Sequence, residues 1–163
     1  MNRSFSTSTS TFALRAGLGA ALLVVPSLGS EPAAAQEPAG ATLRVVLQGV
    51  RADRPGPLSC RLFRGAEGFP MGSPRSATRV VATREGGRAT CVFAGLAPGT
   101  YAVAALHDHD ADGAVDTNMF GAPTEGWATT NDVTHDFSPP SFSESSVTLT
   151  AEQTREVTAR MHY

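Results

Sequence analysis

The chain has 163 residues, 41% hydrophobic, 17% charged and 7% aromatic, with a formal net charge of −2. That apolar share suits one packed domain and excludes a disordered chain, and the slight acidic balance excludes a chain-wide basic footprint for nucleic acid. All 13 basic residues are Arg, which excludes chemistry built on a Schiff-base or P-loop lysine.

The first segment reads as an address rather than structure. It carries Arg3 and Arg15, no acid before Glu31, and an apolar run at 16–25 (AGLGAALLVV) broken by Pro26 and Gly29. Ala33, Ala34 and Ala35 then offer a small-residue cleavage site. This is the layout of a secretory signal peptide over 1–35. The run is too short to span a bilayer as a helix, so no membrane span is expected in the mature chain. The Ser/Thr-rich, acid-free stretch 4–11 keeps a transit peptide as the competing reading. Cleavage after Ala35 leaves a short linker at 36–41 and a domain at 42–163, in a periplasmic or secreted location. In an oxidising compartment Cys60 and Cys91 are expected to pair; two buried thiols on neighbouring strands are the alternative. The bridge would close a loop of about 30 residues and contribute roughly 3–4 kcal/mol in the chain-entropy model.

The body alternates with period two. Leu43, Val45 and Leu47 form one set, Leu58, Cys60 and Leu62 a second, and a short β-branched stretch at 78–83 follows. Ala89, Cys91 and Phe93 alternate next, and 101–106 (YAVAAL) is apolar on both faces, as a central strand is. Val147 and Leu149, then Val157, Ala159, Met161 and Tyr163, complete the series. Seven short strands with Gly/Pro turns and no sustained 3.6-residue stripe predict an all-β, single-domain antiparallel sandwich.

One stretch, 108–140, lacks periodicity and is expected to be an ordered functional loop, with Phe120, Trp127 and Phe137 packing it on itself. Charge is divided along the chain. Residues 36–88 hold nine Arg and four acids, whereas 89–154 hold nine acids and no Arg. The long loop therefore has no sequence-local base, although arginines from the first half can approach it in the fold.

The chemical signal is H-D-H-D-A-D-G-A-V-D-T-N at 107–118. Asp108, Asp110 and Asp112 are spaced by two and Gly113 follows, the opening of a calcium loop. Alternate oxygens converge as the chain curls, glycine permits the turn, Ala114 can offer its carbonyl, and Asp116 falls where a further ligand would sit. Met119 occupies the position of an EF-hand's closing glutamate and no helix pattern flanks the loop. Another residue must close the shell: Glu125 is the candidate, with Asn118 and Asn131 weaker ones. Oxygen ligands favour Ca²⁺, at an extracellular-module affinity of about 10⁻⁴–10⁻³ M. A solvated acidic turn is the plain alternative. A transition metal on His107, His109 and His135 is another; against it, His107 falls in phase with the core positions of its strand, where it would orient the loop by a hydrogen bond. Trp127 could stack on a ligand such as a sugar face, or cover the domain's own edge.

The string HDxDxDGxxDTNxFGxPxEGW resembles the exported bacterial family known as domain of unknown function two-one-four-one. The residues carrying it are His107, Asp108, Asp110, Asp112, Gly113, Asp116, Asn118, Gly121, Pro123, Glu125, Gly126 and Trp127. The stretch 93–102, Pro140, Ser141, Phe142 and Tyr163 also match, so the resemblance spans about 42–163. It implies an exported Greek-key sandwich of the prealbumin-like or carboxypeptidase-regulatory-like kind and assigns no activity. His109, His135 and the A-T-T-N continuation at 128–131 depart from the family's pattern.

Three functions compete. The first is a calcium-stabilised binding or accessory module of the cell envelope, displaying Trp127, Asn118 and Asn131 to an envelope protein or glycan. The second is a small metal-assisted hydrolase or glycosidase with Glu125 and a loop Asp as an acid/base pair; the motifs of serine and zinc hydrolases are absent from the sequence. The third is a structural subunit presenting the sheet edge at 157–163.

Overall fold

The computed structural model describes residues 40–72 and 77–163. The expected signal peptide, its cleavage site and most of the 36–41 linker lie outside the described residues. No described helix is long and apolar enough to cross a membrane.

The described residues form nine strands: β1 Ala41–Gln48, β2 Leu58–Phe63, β3 Thr78–Val81, β4 Thr83–Glu85, β5 Arg88–Leu96, β6 Gly99–His107, β7 Gly126–Thr129, β8 Val147–Leu149 and β9 Thr154–Arg160. One short 3₁₀ turn, Thr130–Asp132, follows β7. The architecture is all-β, in two sheets. One has the order β4-β5-β1-β9; the other runs β3-β2-β6-β7, with β8 also pairing β6.

The count differs from seven for two reasons. The stretch 78–83 is broken at Ala82 into β3, which pairs with β2, and β4, which pairs with β5 in the other sheet. Four residues inside the supposed loop form β7 against β6; their G-W-A-T sequence is too short for a periodicity to show. The sheets are also not wholly antiparallel. β1 and β9 run parallel, with Arg44 opposite Glu156 and Val45 opposite Val157.

Alternation decides what is inside. Ala41, Leu43, Val45 and Leu47 of β1 are buried together with Ala89, Cys91 and Phe93 of β5. From the other sheet Leu58, Cys60 and Leu62 of β2 and Tyr101, Val103 and Ala105 of β6 join the same core. The expected Cys60–Cys91 disulfide is formed and ties β2 to β5 across this core, with Cα atoms 6.2 Å apart. Tyr101 sits inward at the start of β6 and donates its hydroxyl to the Ala97 carbonyl at 2.7 Å, satisfying a buried polar tip.

The second face of β2 and β6 positions the site. Ser59 and Arg61 on β2 and Ala104 and Leu106 on β6 point away from the core, into a space roofed by loops. β6 then delivers the chain into the acidic stretch at Asp108, whose N–H donates to the Pro57 carbonyl at 3.0 Å. The loop before β2 passes so close here that a Cβ on Gly56 (φ +98°) would lie 1.9 Å from the Asp108 carbonyl oxygen and 2.7 Å from the His109 Cα. Only glycine fits that approach.

Candidate metal centre and the cavity beside it

The stretch 108–125 is a loop organised around its own carboxylates. Asp108 is buried, and its Oδ2 accepts the Gly113 N–H at 2.9 Å. Asp110 Oδ1 accepts the Asp112 N–H at 3.2 Å, and Asp112 Oδ1 accepts the Ala114 N–H at 2.7 Å. These are aspartate turns, in which a side chain replaces a backbone acceptor. Beyond them the chain folds back on itself: Thr124 N–H donates to the Asp116 carbonyl at 2.9 Å, and Asn118 Oδ1 caps the tip by accepting the Phe120 and Ala122 N–H groups.

Glu125 closes the loop from inside. Its side chain is fully buried. Oε1 accepts the His109 N–H at 2.8 Å and lies 3.0 Å from His109 Nδ1, while Oε2 accepts the Asp116 N–H at 3.2 Å. One carboxylate thus holds both legs of the loop. The hydrogen bond to Glu125 raises the His109 pKa, more than its desolvation lowers it. Asp116 is also raised, first by burial and then by Asp110, Glu125 and Asp112. That is the signature of a site with more negative charge than its surroundings compensate.

Two groups of ligand atoms gather, each within 4.8 Å of one another: Asp108, Asp110 and Asp112; and His109, Asp110, Asp116 and Glu125. Asp110 belongs to both. The structure therefore brings together five of the six candidate metal residues, split over two adjacent groups. Ala114, the sixth, contributes its N–H to Asp112. In the first group Asp108 Oδ1 is buried without a hydrogen-bond partner. A charged oxygen in that condition is costly unless a cation or proton meets it, so this donor set suits a hard cation. Arg79 approaches the other oxygen, Oδ2, only at 4.0 Å.

The remaining candidates are placed elsewhere. His107 is buried, with Nδ1 2.8 Å from the Tyr163 hydroxyl and Nε2 3.4 Å from Arg84 Nη1. His135 pairs with Glu144 at 3.1 Å. Neither falls in a metal-ligand group among the described residues. The Asn131 amide donates to the Glu144 and Ser146 carbonyls at 2.9 and 3.0 Å, pinning the chain before β8. Trp127 is half-buried, its ring 5.0 Å from that of His162.

Beside the acidic loop lies a cavity of about 390 Å³. Arg61, Ala104, Leu106 and Trp127 line it from the sheet, and Phe120 and Phe137 line it from the loops. The expected self-packing of the loop aromatics fails for these two: Phe120 is 86% and Phe137 101% exposed, because they stand over the cavity rather than fill it. Arg61 bridges the cavity to the acidic turn, donating from Nη1 to the Gly72 carbonyl at 3.2 Å and from Nη2 to the Gly113 carbonyl. Arg61 was not singled out from the sequence. It lies 52 positions from Gly113, and only its outward phase on β2 hinted that it faces a loop.

A family model described as an uncharacterized protein conserved in bacteria (DUF2141) matches residues 45–158. No curated protein and no solved structure matches the chain.

Proposed function

This chain belongs to the bacterial family DUF2141, and from that premise we propose that it is a calcium-stabilised binding module of the cell envelope. The observation that carries the reading is Asp108: a buried carboxylate with Oδ1 unpartnered, next to the carboxylates of Asp110 and Asp112. Ca²⁺ takes six to eight oxygens and tolerates irregular geometry, which suits Asp108, Asp110 and Asp112 with Asp116 and Glu125 alongside. Bound there, the ion supplies the positive charge that 89–154 lacks in sequence.

The carboxylates are better suited to binding than to proton transfer. Glu125 already accepts from three donor positions, which leaves it a poor acid/base for hydrolysis. Export fits a buried disulfide and the leader-like residues 1–35. The fold reads as a Greek-key, prealbumin-like sandwich: the chain changes sheet between β1 and β2, β3 and β4, β5 and β6, and β8 and β9, and the Tyr101 hydroxyl returns to the backbone four residues upstream as in Greek-key tyrosine corners.

The test is calorimetry of chelator-stripped protein with Ca²⁺, Mg²⁺ and Zn²⁺, followed by thermal melts. One-site Ca²⁺ binding that raises the melting temperature, and is lost in Asp110→Ala plus Asp112→Ala, is the expected result. No heat with Ca²⁺, or an unchanged response in that double variant, sinks the reading. Preference for Zn²⁺ moves the site to His109.

A further inference from the structure

We infer that the cavity between the outer face of β2–β6–β7 and the acidic loop is a binding site for a small aromatic carboxylate. The inference rests on the binding-module reading and deepens it by naming a ligand class. Its volume, about 390 Å³, falls at the small-molecule end of ligand pockets, which run from roughly 300 to 1,000 Å³. The size suits one or two rings.

The walls set the body of the ligand. Ala104 and Leu106 form an apolar floor, and Ala104 leaves room that a larger residue would fill. Trp127 stands at one side. Phe120 and Phe137 flank the space with their rings in water. Two nearly fully exposed phenylalanines beside one apolar concavity mark a surface that is covered in use, and flat rings meet a flat guest by offset or edge contacts.

Arg61 sets the charge. It is half-buried, and both its hydrogen bonds end on carbonyls, those of Gly72 and Gly113. Among the described residues it has no carboxylate within salt-bridge distance. A guanidinium has five N–H donors, so donors remain for a guest. A carboxylate takes two of them side by side. The one acid of the lining, Asp136, is exposed beside Phe137, in the segment between the 3₁₀ turn and β8 rather than on the sheet. Charge complementarity therefore orients the guest with its anion towards β2 and its ring between the phenylalanines. Burial lowers the Arg61 pKa, consistent with a cation that gains from an anionic partner.

The probes are 2-naphthoate and its neutral counterpart 2-naphthalenemethanol, titrated by calorimetry into the protein both stripped with chelator and with Ca²⁺ present. The indole N–H resonance of Trp127, the single tryptophan, is followed by NMR. Naphthoate is expected to bind saturably and at least tenfold more tightly than the alcohol, moving the Trp127 signal. Ala104→Phe is expected to abolish binding without changing the disulfide-linked fold, read by circular dichroism. Arg61→Met is expected to bring the acid down to the alcohol's affinity, and Arg61→Lys to keep the preference. The proposal is overturned when neither probe binds in either condition, when acid and alcohol bind alike, or when binding survives Ala104→Phe. It is also overturned when sedimentation shows a dimer that Phe137→Ser dissociates, since a second copy then covers the face. Failure of the calcium reading is separate: it is the absence of Ca²⁺ heat, and it leaves the probe isotherms to be judged alone.

Discussion

Nδ1 of His107 lies 2.8 Å from the hydroxyl of Tyr163, joining the end of β6 to the segment after β9. On the other side of the ring Arg84 Nη1 is 3.4 Å from Nε2. A guanidinium can only donate, so Nε2 accepts and Nδ1 carries the proton of a neutral imidazole. The Tyr163 ring lies where a Cβ on Gly126 would fall, 2.4 Å from Tyr163 Cε1, which accounts for the glycine between Glu125 and Trp127.

Burial, then Arg84 and Arg54, lowers the His107 pKa below its ordinary 6.5. A histidine whose folded value is depressed favours the fold in its neutral form. Its contribution is complete above pH 6.5 and is lost as the pH falls below that through the folded value. His109, raised by Glu125, runs the other way, contributing below pH 6.5 and fading as the pH rises through its folded value. Melting profiles of wild type and His107→Gln, subtracted, are expected to leave a stability difference that shrinks on acidification. A difference that grows on acidification contradicts the neutral assignment.

Glu125→Gln is expected to loosen the acidic loop. Three donor positions converge on the carboxylate, and an amide can turn only one oxygen to them while adding a buried N–H₂. One unsatisfied buried donor costs about 1–3 kcal/mol. Urea unfolding is expected to show a loss of that order, with faster hydrogen exchange at the His109 and Asp116 amides. Exchange unchanged at both amides contradicts the tie.

The Cys60–Cys91 bridge spans 31 positions and both cysteines are buried. Replacing both by Ala is expected to cost about 3–4 kcal/mol by unfolded-state entropy. Reductant is expected to lower the melting temperature of the wild type towards that of the double variant, which itself does not respond. Equal midpoints for oxidised and reduced protein refute the assignment of stability to the bridge.

Glu144 accepts from the Ser141 side chain and backbone and lies 3.1 Å from His135. These bonds hold its pKa down to about 2 from 4.5. A depressed carboxylate contributes above the unfolded value and loses that contribution as pH falls from about 4.5 to about 2. Glu144→Gln is expected to flatten the acid limb of the stability profile in that window; the group is exposed, so the change is small. A steeper limb in the variant reverses the sign and rejects it.

The core strands were legible because alternation is a local code. Leu43, Val45 and Leu47 point inward for the same reason that Ala89, Cys91 and Phe93 do; that these two strands are neighbours is a feature of the fold alone. The acidic turn was legible because its spacing fixes its geometry. β7 was not, since four residues carry too little pattern, and the parallel β1–β9 pairing depends on chain path rather than composition. Arg61 and the cavity were hidden for a related reason: they arise where β2, β6 and two loops meet, and no stretch of sequence contains them together.

Arg44 and Glu156 face each other in the β1–β9 pair, 112 positions apart. During synthesis β1 emerges long before the strand that completes its flank, and β5 can occupy only the opposite one. Among the described strands the first made is thus sealed by the last, a contact of high order that slows folding. β1 stays unsealed along that flank until β9 is delivered, and a truncation that removes 154–160 unlatches a strand more than a hundred positions away.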